Sequence, residues 1–345
     1  MREELIYIDR MGTDSIKWDG LQKTYGDSDL IPLWVADMDF KAPQAVRQAL
    51  GQWAEQGAYG YYMLPDSYHD AFSRWEREHH GYAIERDWMR FAPGVVSAAY
   101  WLVQTLCQEG DGVIMLLPIY YPFFSAIEKT GRRIVGSHLV NTDGIYTIDF
   151  EDFERRIVEQ KAKLFILCSP HNPVGRVWER WELERLWEIC QRHGVIVFSD
   201  EIHHDLVTGE KAHIPMGTVG GNKVVTATSA SKTFNLAGLQ SSTIIIPDTE
   251  TRAAFDAFMV HINVSSVNMA GSIATRAAYE GGEGWLEALL DQIRAHYALV
   301  DPAAIRIPSP RLFPLGGTFL TWLDPTPCYP SGLSLLHFRP CGLTI

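Results

Sequence analysis

The sequence lacks the features that mark several large classes of protein. Its 345 residues contain 30 Lys and Arg against 42 Asp and Glu, a net charge of −12, and no basic block, so nucleic acid is not an expected partner. No apolar stretch approaches membrane-spanning length, and the N-terminus lacks the apolar core of a signal peptide. The nucleophile-elbow, Walker A and dinucleotide fingerprints are also missing. These absences predict a cytoplasmic protein with no nucleic-acid or membrane partner.

Cysteine and histidine give no sign of a disulfide framework or a metal site. The pairs His79-His80 and His203-His204 do not combine i, i+4 helical spacing with a third ligand, so we predict packed or solvated histidines and no metal. The cysteines are scattered without a C-x-x-C pair, which predicts buried, reduced thiols. They are Cys107, Cys168, Cys190, Cys328 and Cys341.

What the sequence does contain is a set of short apolar runs bounded by turn signals. Such runs are typical of buried strands in a parallel sheet, and helical patterns separate them as parallel crossovers require. The fold class is therefore α/β, and the length allows about two domains. The predicted strands are 113–117, 164–168, 195–198 and 224–227; the predicted helices are 43–56, 66–79, 97–107 and 178–191. We expect Asp66 or Ser67 to cap the second helix.

Polar or aromatic residues come directly after each predicted strand. Tyr120 comes after the first strand and Asn172 after the second, while Asp200 and Lys232 come after the third and fourth. In open α/β sheets, ligands bind outside the carboxyl ends of the strands. We therefore expect these side chains to converge on one crevice that offers an aromatic ring, an amide, a carboxylate and an amine.

Lys232 points to the chemistry of that crevice. It lies where a buried strand opens into a loop of small and hydroxyl-bearing residues, and desolvation there would make its amine a Schiff-base nucleophile. Pyridoxal phosphate needs such a lysine, a carboxylate at its pyridine nitrogen, a donor at its phenolic oxygen, a stacked ring and donors for its phosphate. The strand ends supply a candidate for each need, so pyridoxal 5'-phosphate is the predicted cofactor.

Seven strings of residues also carry a resemblance to a known family. They run in family order from about residue 8 to about residue 324 and comprise 12–19, 34–40, 59–61, 93–96, 169–175, 199–203 and 231–238. The chain resembles the fold type I pyridoxal-phosphate enzymes of the class I/II aminotransferase superfamily. Within them it is most similar to the cystathionine β-lyase-like carbon–sulfur lyases of the MalY/PatB kind. The resemblance implies a large domain with a mainly parallel sheet and flanking helices, and a smaller α+β domain.

By that resemblance, Lys232 binds the cofactor covalently and moves the Cα proton, and Asp200 pairs with the pyridinium nitrogen. Asn172 donates to the phenolic oxygen, with His203 as a second partner there, and Tyr120 stacks on the ring. The residues alone leave other roles open: Asp200 could cap a helix, Asn172 could form an Asn-Pro turn, and Tyr120 could pack in the core.

The resemblance also implies how the phosphate is held. Val95 and Val96 would supply backbone amides at the start of a helix, and Ser229 would add a hydroxyl. Tyr61 resembles the residue that reaches the phosphate of the neighbouring subunit. A homodimer with shared sites is therefore expected.

The implied reaction is a β-elimination on a sulfur-containing amino acid. Cystathionine or a cysteine S-conjugate would yield a thiol, pyruvate and ammonia. An aminotransferase shares every step up to loss of the Cα proton, so the residues around the cofactor cannot separate the two. A homologue that binds the cofactor but turns over poorly is a further alternative.

That last alternative arises from the carboxyl end, where the resemblance stops at Asp324. The family's Arg that clamps the substrate carboxylate has no match in residues 325–345, where Arg339 is the only arginine and stands in unlike surroundings. The tail looks like a truncated or frameshifted terminus. We expect an N-terminal arm at 1–40 that contributes to the small domain, a cofactor-binding large domain at 41–250, and an incomplete small domain at 251–345.

Overall fold

The computed structural model describes residues 2–142, 144–264, 267–306 and 311–324, with the backbone alone for 301–306 and 311. The predictions for residues 325–345, including Cys328, Arg339 and Cys341, lie outside these residues. The helices are α1 Ile16–Asp19, α2 Leu21–Tyr25, α3 Gln44–Gln56, α4 Asp66–His80, α5 Val95–Leu106, α6 Pro122–Glu128, α7 Phe150–Gln160, α8 Arg180–His193, α9 Gly217–Gly220, α10 Ala230–Thr233, α11 Thr249–His261, α12 Met269–Gly281 and α13 Glu283–Arg306. The strands are β1 Met89–Ala92, β2 Gly112–Leu117, β3 Arg133–His138, β4 Val140–Thr142, β5 Ile145–Thr147, β6 Ala162–Cys168, β7 Ile196–Asp200, β8 Val224–Thr228, β9 Ser242–Ile245, β10 Arg311–Leu312 and β11 Leu323–Asp324.

Within the described ranges, one seven-stranded sheet has the order β1-β9-β8-β7-β6-β2-β3. Strands β3, β2, β6, β7 and β8 pair in parallel, while β9 pairs antiparallel with both β8 and β1. In this sheet β9 therefore runs against the other six strands. The predicted α/β fold with a mainly parallel sheet is confirmed.

Helices cover both faces of the sheet, which explains why its central strands read as unbroken apolar runs. Along β2, Val113 and Met115 pack against α5, α6 and α11, whereas Ile114 and Leu116 face α7 and α8 on the other side. Helices α4 and α12 extend that second side beside β1 and β9. This layering leaves the carboxyl edge of the sheet open for a site.

The four predicted strands exist, with small shifts at their ends. Strand β7 begins one residue late and continues through Asp200, and β8 continues through Thr228. Asp200 is thus the last residue of its strand, because its backbone still pairs in register with both neighbouring strands. The sequence analysis had placed it in the loop after that strand.

Helix starts were predicted less well. Helix α5 begins at Val95, two residues before the predicted start, with Gly94 in extended conformation before it. Pro65 precedes α4 without a side-chain cap, so the predicted capping by Asp66 or Ser67 is wrong; Ser67 instead accepts a hydrogen bond from Arg276 at 2.8 Å.

Helix α8 also begins later than predicted. Trp178 lies before the helix, buried, and donates through Nε1 to the Cys168 carbonyl at 3.0 Å. The helix starts with a reciprocal capping box in which Glu179 and Glu182 each bind the other's backbone N–H. The apolar spacing that included Trp178 reflects core packing of an extended segment, not a helical turn.

The N-terminal segment, residues 2–40, is held by one bridge within itself and by contacts with Asn235 in the loop after α10. A β-bridge joins Tyr7 to Phe40, and the side chain of Asn235 accepts from the backbone N–H of Met38 and donates to the carbonyls of Met38 and Phe40. Helix α11, which spans the predicted boundary at residue 250, packs through Phe255 against the first face of the sheet. The division into domains stays a prediction.

Three cysteines fall within the described chain, and each is free and buried: Cys107, Cys168 and Cys190. The prediction of buried, reduced thiols is confirmed for them. In the part of the chain that the structure describes, no helix combines the length and apolar character needed to cross a bilayer.

Candidate active site

A cavity of about 410 Å³ opens at the carboxyl edge of the sheet. Strands β6, β7 and β8 end there at the same level, because Cys168 is the register partner of Asp200 and Asp200 that of Ala227. The side chains at and just after these strand ends therefore meet, as predicted. Every predicted site residue except Tyr61 lines the cavity: Val95, Val96, Tyr120, Asn172, Asp200, His203, Ser229 and Lys232.

Lys232 lies in α10, the short helix that comes after β8. Its Nζ donates to the backbone carbonyl of Ala36 in the N-terminal segment, at 2.7 Å. Burial lowers the pKa of Lys232, and the negative charges of Asp37 and Asp200 only partly oppose that shift. The amine is thus desolvated, which is the condition that makes a lysine nucleophilic.

Asp200 is buried at the end of β7 and accepts a hydrogen bond from the backbone N–H of Ile202 at 3.0 Å. Burial raises its pKa to about 7, against the lowering effects of that hydrogen bond and of Lys232. The carboxylate therefore lacks a strong positive partner, and a protonated ring nitrogen in the cavity would supply one.

His203 brings an unpartnered nitrogen to the cavity. Its ring is buried, its Nδ1 has no hydrogen-bond partner among the described residues, and burial lowers its pKa to about 3 with help from the positive charges of Lys232 and His204. The imidazole is thus neutral and able to donate or accept. Asn172 lies nearby in the loop after β6, with its backbone N–H on the Cys168 sulfur at 3.4 Å.

Tyr120 presents a half-buried ring to the cavity. Burial raises its pKa to about 12, so the phenol stays neutral at physiological pH. Its ring packs edge-on against that of Phe123, with ring centroids 5.8 Å apart. This contact restricts the orientation of the Tyr120 ring. A flat heterocycle could lie against its exposed side.

The first turn of α5 points backbone N–H groups at the cavity. Val95, Val96 and Ser97 all line it, and N–H groups in a first turn have no acceptor within their own helix. A helix N-terminus of this kind is suited to a phosphate group. No arginine belongs to the cavity lining among the described residues, and Arg339 lies outside them.

The hydroxyl of Ser229 is already in use. Its Oγ donates to the Ser241 carbonyl at 2.6 Å and accepts from the Ser231 backbone N–H at 3.0 Å, so it caps α10. Ser229 still lines the cavity, but its hydroxyl hydrogen is donated to the Ser241 carbonyl and not to the cavity. Sequence reasoning missed Ser97 and Ser231, whose hydroxyl side chains lie on the same lining and stand next to residues that it did select.

Tyr61 does not line the cavity. Its side chain is fully exposed, as is most of nearby Met63, and Tyr59 is exposed by 62%. A role for Tyr61 in a neighbouring subunit stays a prediction.

The cavity suits pyridoxal phosphate on its own chemistry. A buried amine, a buried carboxylate without a cationic partner and an orphaned imidazole nitrogen line one space, and a helix N-terminus opens onto it. Lys232 would hold the aldehyde carbon, Asp200 the ring nitrogen, and the first turn of α5 the phosphate.

Comparisons with known proteins agree with this arrangement. The sequence model of the family "Aminotransferase class I and II" matches residues 28–308. Cystathionine beta-lyase PatB of Bacillus subtilis is 39% identical over 320 residues, which is 92% of this chain and 83% of that protein. Protein MalY of Escherichia coli is 32% identical over 323 residues, 93% of this chain and 83% of its own length.

A solved structure extends the likeness to three dimensions. The PLP-bound C-S lyase from Staphylococcus hominis superimposes with a TM-score of 0.91 at 31% identity, covering 98% of this chain and 88% of that one. Both the sequence match and the superposition span the sheet and the cavity at its edge. The chain therefore belongs to the aminotransferase class I and II family, in the group that includes PatB and MalY.

Proposed function

We propose that this protein is a pyridoxal-phosphate-dependent carbon–sulfur β-lyase, which acts on cystathionine or a cysteine S-conjugate. The observation that carries the proposal is the pairing, in one cavity, of the desolvated Lys232 amine with the buried Asp200 carboxylate. The names of PatB and of the Staphylococcus hominis protein favour lyase chemistry over transamination.

Pyridoxal phosphate, when bound, supplies an electron sink that stabilises negative charge at the α-carbon of an amino acid. The buried carboxylate of Asp200 would hold a proton on the ring nitrogen, which would strengthen the electron sink. Asn172 and His203 would hold the ring through its phenolic oxygen, and Tyr120 would cover one face. The first turn of α5 fixes the phosphate end.

Lys232 has two duties in this scheme. Its amine would hold the cofactor at the aldehyde carbon until the amino group of a substrate takes its place. It then takes the proton from Cα as a general base, for which a desolvated amine of lowered pKa is suited. The C–S electron pair leaves with the sulfur as a thiolate, and water releases the remaining three-carbon unit as pyruvate and ammonia.

The test is a product analysis of the full-length holoenzyme with L-cystathionine. We expect equal amounts of pyruvate and thiol without any added 2-oxo acid. Turnover that appears only when a 2-oxo acid is supplied would instead identify an aminotransferase. Fully bound cofactor with no product from cystathionine or from a cysteine S-conjugate would identify an impaired homologue.

Two matched lysine variants connect the chemistry to the site. Lys232→Ala should remove covalent attachment of the cofactor and lower turnover by about 10³-fold or more, because it deletes both the holding group and the base. Lys223→Ala is the control, since Lys223 is exposed and pairs with Asp248 at 2.7 Å away from the cavity. Borohydride reduction followed by mass spectrometry detects cofactor that is covalently attached to the protein. Equal labelling of the two variants would contradict the assignment of Lys232 as the attachment site.

A further inference from the structure

Three histidines and three carboxylates form a buried cluster behind the cavity. They come from α4, from the segment after β7 and from the loop that leads to α9. We call it the histidine–carboxylate cluster, and its members are Glu76, His80, Glu201, His204, Asp205 and His213. Its side chains are at most 7% exposed. Nothing in the proposed reaction uses it.

Part of this cluster is already balanced. Glu201 pairs with His213 at 3.0 Å and also accepts hydrogen bonds from the Ser199 hydroxyl and the Met216 backbone N–H, at 2.7 and 2.8 Å. Burial opposes its ionisation, but these partners bring its pKa below the ordinary value for a glutamate. Asp205 also has partners of its own, since it accepts from Trp75 Nε1–H at 3.0 Å and from the Thr233 hydroxyl at 2.8 Å. Glu76, His80 and His204 have fewer partners.

The orientation of His204 is fixed by its other nitrogen. The Thr228 hydroxyl donates its one hydrogen to the Glu201 carbonyl at 3.2 Å, so it accepts from Nδ1–H of His204 at 2.7 Å. The Nε2 of His204 then faces Asp205 Oδ2 at 3.1 Å and Glu76 Oε1 at 3.6 Å. A ring nitrogen held by a hydrogen bond on its far side is the usual arrangement of a metal-binding histidine.

Two of the facing atoms lack hydrogen-bond partners. Neither Nε2 of His204 nor Oε1 of Glu76 makes a hydrogen bond within the described residues, although both are fully buried. Leaving such atoms unsatisfied costs about 1–3 kcal/mol each, and more for charged groups. The two atoms are 3.6 Å apart, so a proton or a metal ion between them would satisfy both.

The spacing fits a small cation. The ligand atoms of Glu76, His80 and His204 all lie within 4.8 Å of one another. Asp205 borders this group without belonging to it, since its Oδ1 is hydrogen-bonded to His80 Nε2 at 2.7 Å. Ligand atoms around a tetrahedral zinc are about 3.3 Å apart, given bonds of about 2.0–2.1 Å.

The charge also fits. Two carboxylates and two neutral imidazoles carry a net charge of −2, which one divalent ion would neutralise. Two imidazole nitrogens and one carboxylate oxygen suit zinc better than calcium or magnesium. Glu76 and His80 stand four residues apart on α4, a spacing that the sequence analysis overlooked because it compared only adjacent histidines.

We propose that Glu76, His80 and His204 bind a zinc ion, with Asp205 beside it as the hydrogen-bond acceptor that orients His80. The three ligand side chains are buried and the proposed reaction does not use them, so the role of the ion is structural. The ion joins α4 to the chain after β7. Asp205 also accepts from the Thr233 hydroxyl at 2.8 Å, which links the site to the residue after Lys232.

A proton is the competing occupant of the same nitrogen. Burial disfavours charge on His204, but Asp205 and Glu76 outweigh it and raise its pKa to about 10. A cluster without metal would therefore hold an imidazolium. Metal content separates the two states directly.

The experiment measures metal in untagged, full-length holoenzyme from zinc-supplemented cultures, after prolonged dialysis against a chelator. We expect about one zinc per chain in the parent protein, as for a closed structural site. His80→Gln should retain less than about a tenth of that, because it removes a ligand. His79→Gln is the matched control: the next residue on the same helix, its ring stacks on Trp75 outside the proposed ligand set, and its zinc content should equal that of the parent.

A second measurement covers the case in which His80→Gln does not fold. The parent protein is produced with cobalt in place of zinc, and its visible spectrum is recorded after removal of the cofactor. Intense bands of four-coordinate cobalt with nitrogen and oxygen ligands are expected. A parent protein with less than about 0.1 metal ion per chain in both preparations, equal zinc in the two histidine variants, or cobalt without those bands overturns the proposal.

Discussion

At the scale of single residues, two consecutive acids at the end of β7 have opposite environments. Asp200 lines the cavity and receives one backbone hydrogen bond, whereas Glu201 points to the other side and is satisfied by His213, Ser199 and Met216. Burial raises the pKa of both groups, but only Asp200 stays above its ordinary value. Asp200 is therefore the acid that gains from a cation in the cavity.

This difference predicts how the cofactor-free protein responds to pH. The folded-state pKa of Asp200, about 7, lies above its unfolded value near 3.8. The folded state then binds more protons than the unfolded state between about pH 4 and pH 7, so this group's contribution to stability falls as pH rises through that window. Asp200→Asn should remove the fall, and the variant should gain up to about 4 kcal/mol relative to the parent between those pH values.

Asp248→Asn is the control for that measurement. Asp248 caps α11 and pairs with Lys223; this pairing is the main cause that lowers its pKa to about 2. Its contribution is present above its unfolded pKa and is lost only as pH falls through the folded one. The variant should therefore be less stable by a constant amount from pH 4 to 7. Urea unfolding at several pH values gives both curves, and parallel curves for Asp200→Asn and the parent would contradict the prediction.

The residue types of the site were predictable because each comes directly after a buried apolar run, and parallel strands bring the residues at their carboxyl ends to one edge of the sheet. Hydrogen bonds that depend on distant segments were not predictable. The commitment of Ser229 to the Ser241 carbonyl and of the Lys232 amine to Ala36 involves chain that is 12 and 196 residues away. The contact between His204 and Glu76 on α4 could not be predicted for the same reason.

At the scale of elements, the start of α8 shows how a buried ion pair supports a helix. Glu182 binds the Glu179 backbone N–H at 2.8 Å and forms a two-oxygen pair with Arg176 at 2.7 Å, while its side chain is only 3% exposed. The Arg176 guanidinium also lies 4.9 Å from the centre of the Trp178 ring. One carboxylate therefore fixes both the helix start and the loop after β6 that carries Asn172.

Glu182→Gln should lower the free energy of unfolding by about 3 kcal/mol, since it leaves a buried guanidinium without its counter-charge. Glu184→Gln, two residues further along the same helix, provides the matched control. Glu184 is 52% exposed and lies 4.0 Å from Arg180, so its loss should cost less than about 1 kcal/mol. Denaturant unfolding of the two variants measures the difference; equal stabilities would show that the pair is unimportant.

Helix starts were the least predictable elements for a related reason. The first turns of α4 and α8 are defined by contacts with Arg276 and Arg176, which come from outside the local pattern. Strand β1 has four residues and β9 also has four, too few for a clear period, and the reversed direction of β9 has no local signal at all. The long buried strands were predictable because burial on both faces leaves only apolar residues.

At the scale of the whole molecule, exposed apolar side chains suggest a second copy of the chain. Tyr61 and Met63 are almost fully exposed in the segment between α3 and α4, and Tyr121 is exposed by 75% beside the cavity residue Tyr120. Such side chains are commonly covered in an oligomer. We propose a homodimer in which Tyr61 completes the partner's site.

Mixing inactive variants tests this proposal. Tyr61→Ala and Lys232→Ala dimers should each be weakly active, but a mixed dimer would contain one site with both residues intact. After exchange of subunits, activity should rise toward about a quarter of the parent value. In the control mixture, Trp181→Ala takes the place of Tyr61→Ala, because Trp181 is also an exposed aromatic residue but lies on α8. The activity of the Trp181→Ala variant should match that of the parent. No gain on mixing, or a monomeric mass by light scattering, would contradict shared sites.

The bond from the Lys232 amine to the Ala36 carbonyl has a consequence for loading of the cofactor. When the nitrogen turns toward an aldehyde in the cavity, that carbonyl loses its donor, while Asn235 keeps its hold on Met38 and Phe40. The stretch around Trp34 to Asp37 then loses one of its bonds to the cavity edge but keeps those to Lys17 and Arg10. Amide exchange around Ala36, which borders the cavity, should become faster when the cavity is filled, while exchange at the carboxyl edge of the sheet becomes slower. Exchange in this N-terminal segment would therefore report occupancy of the cavity.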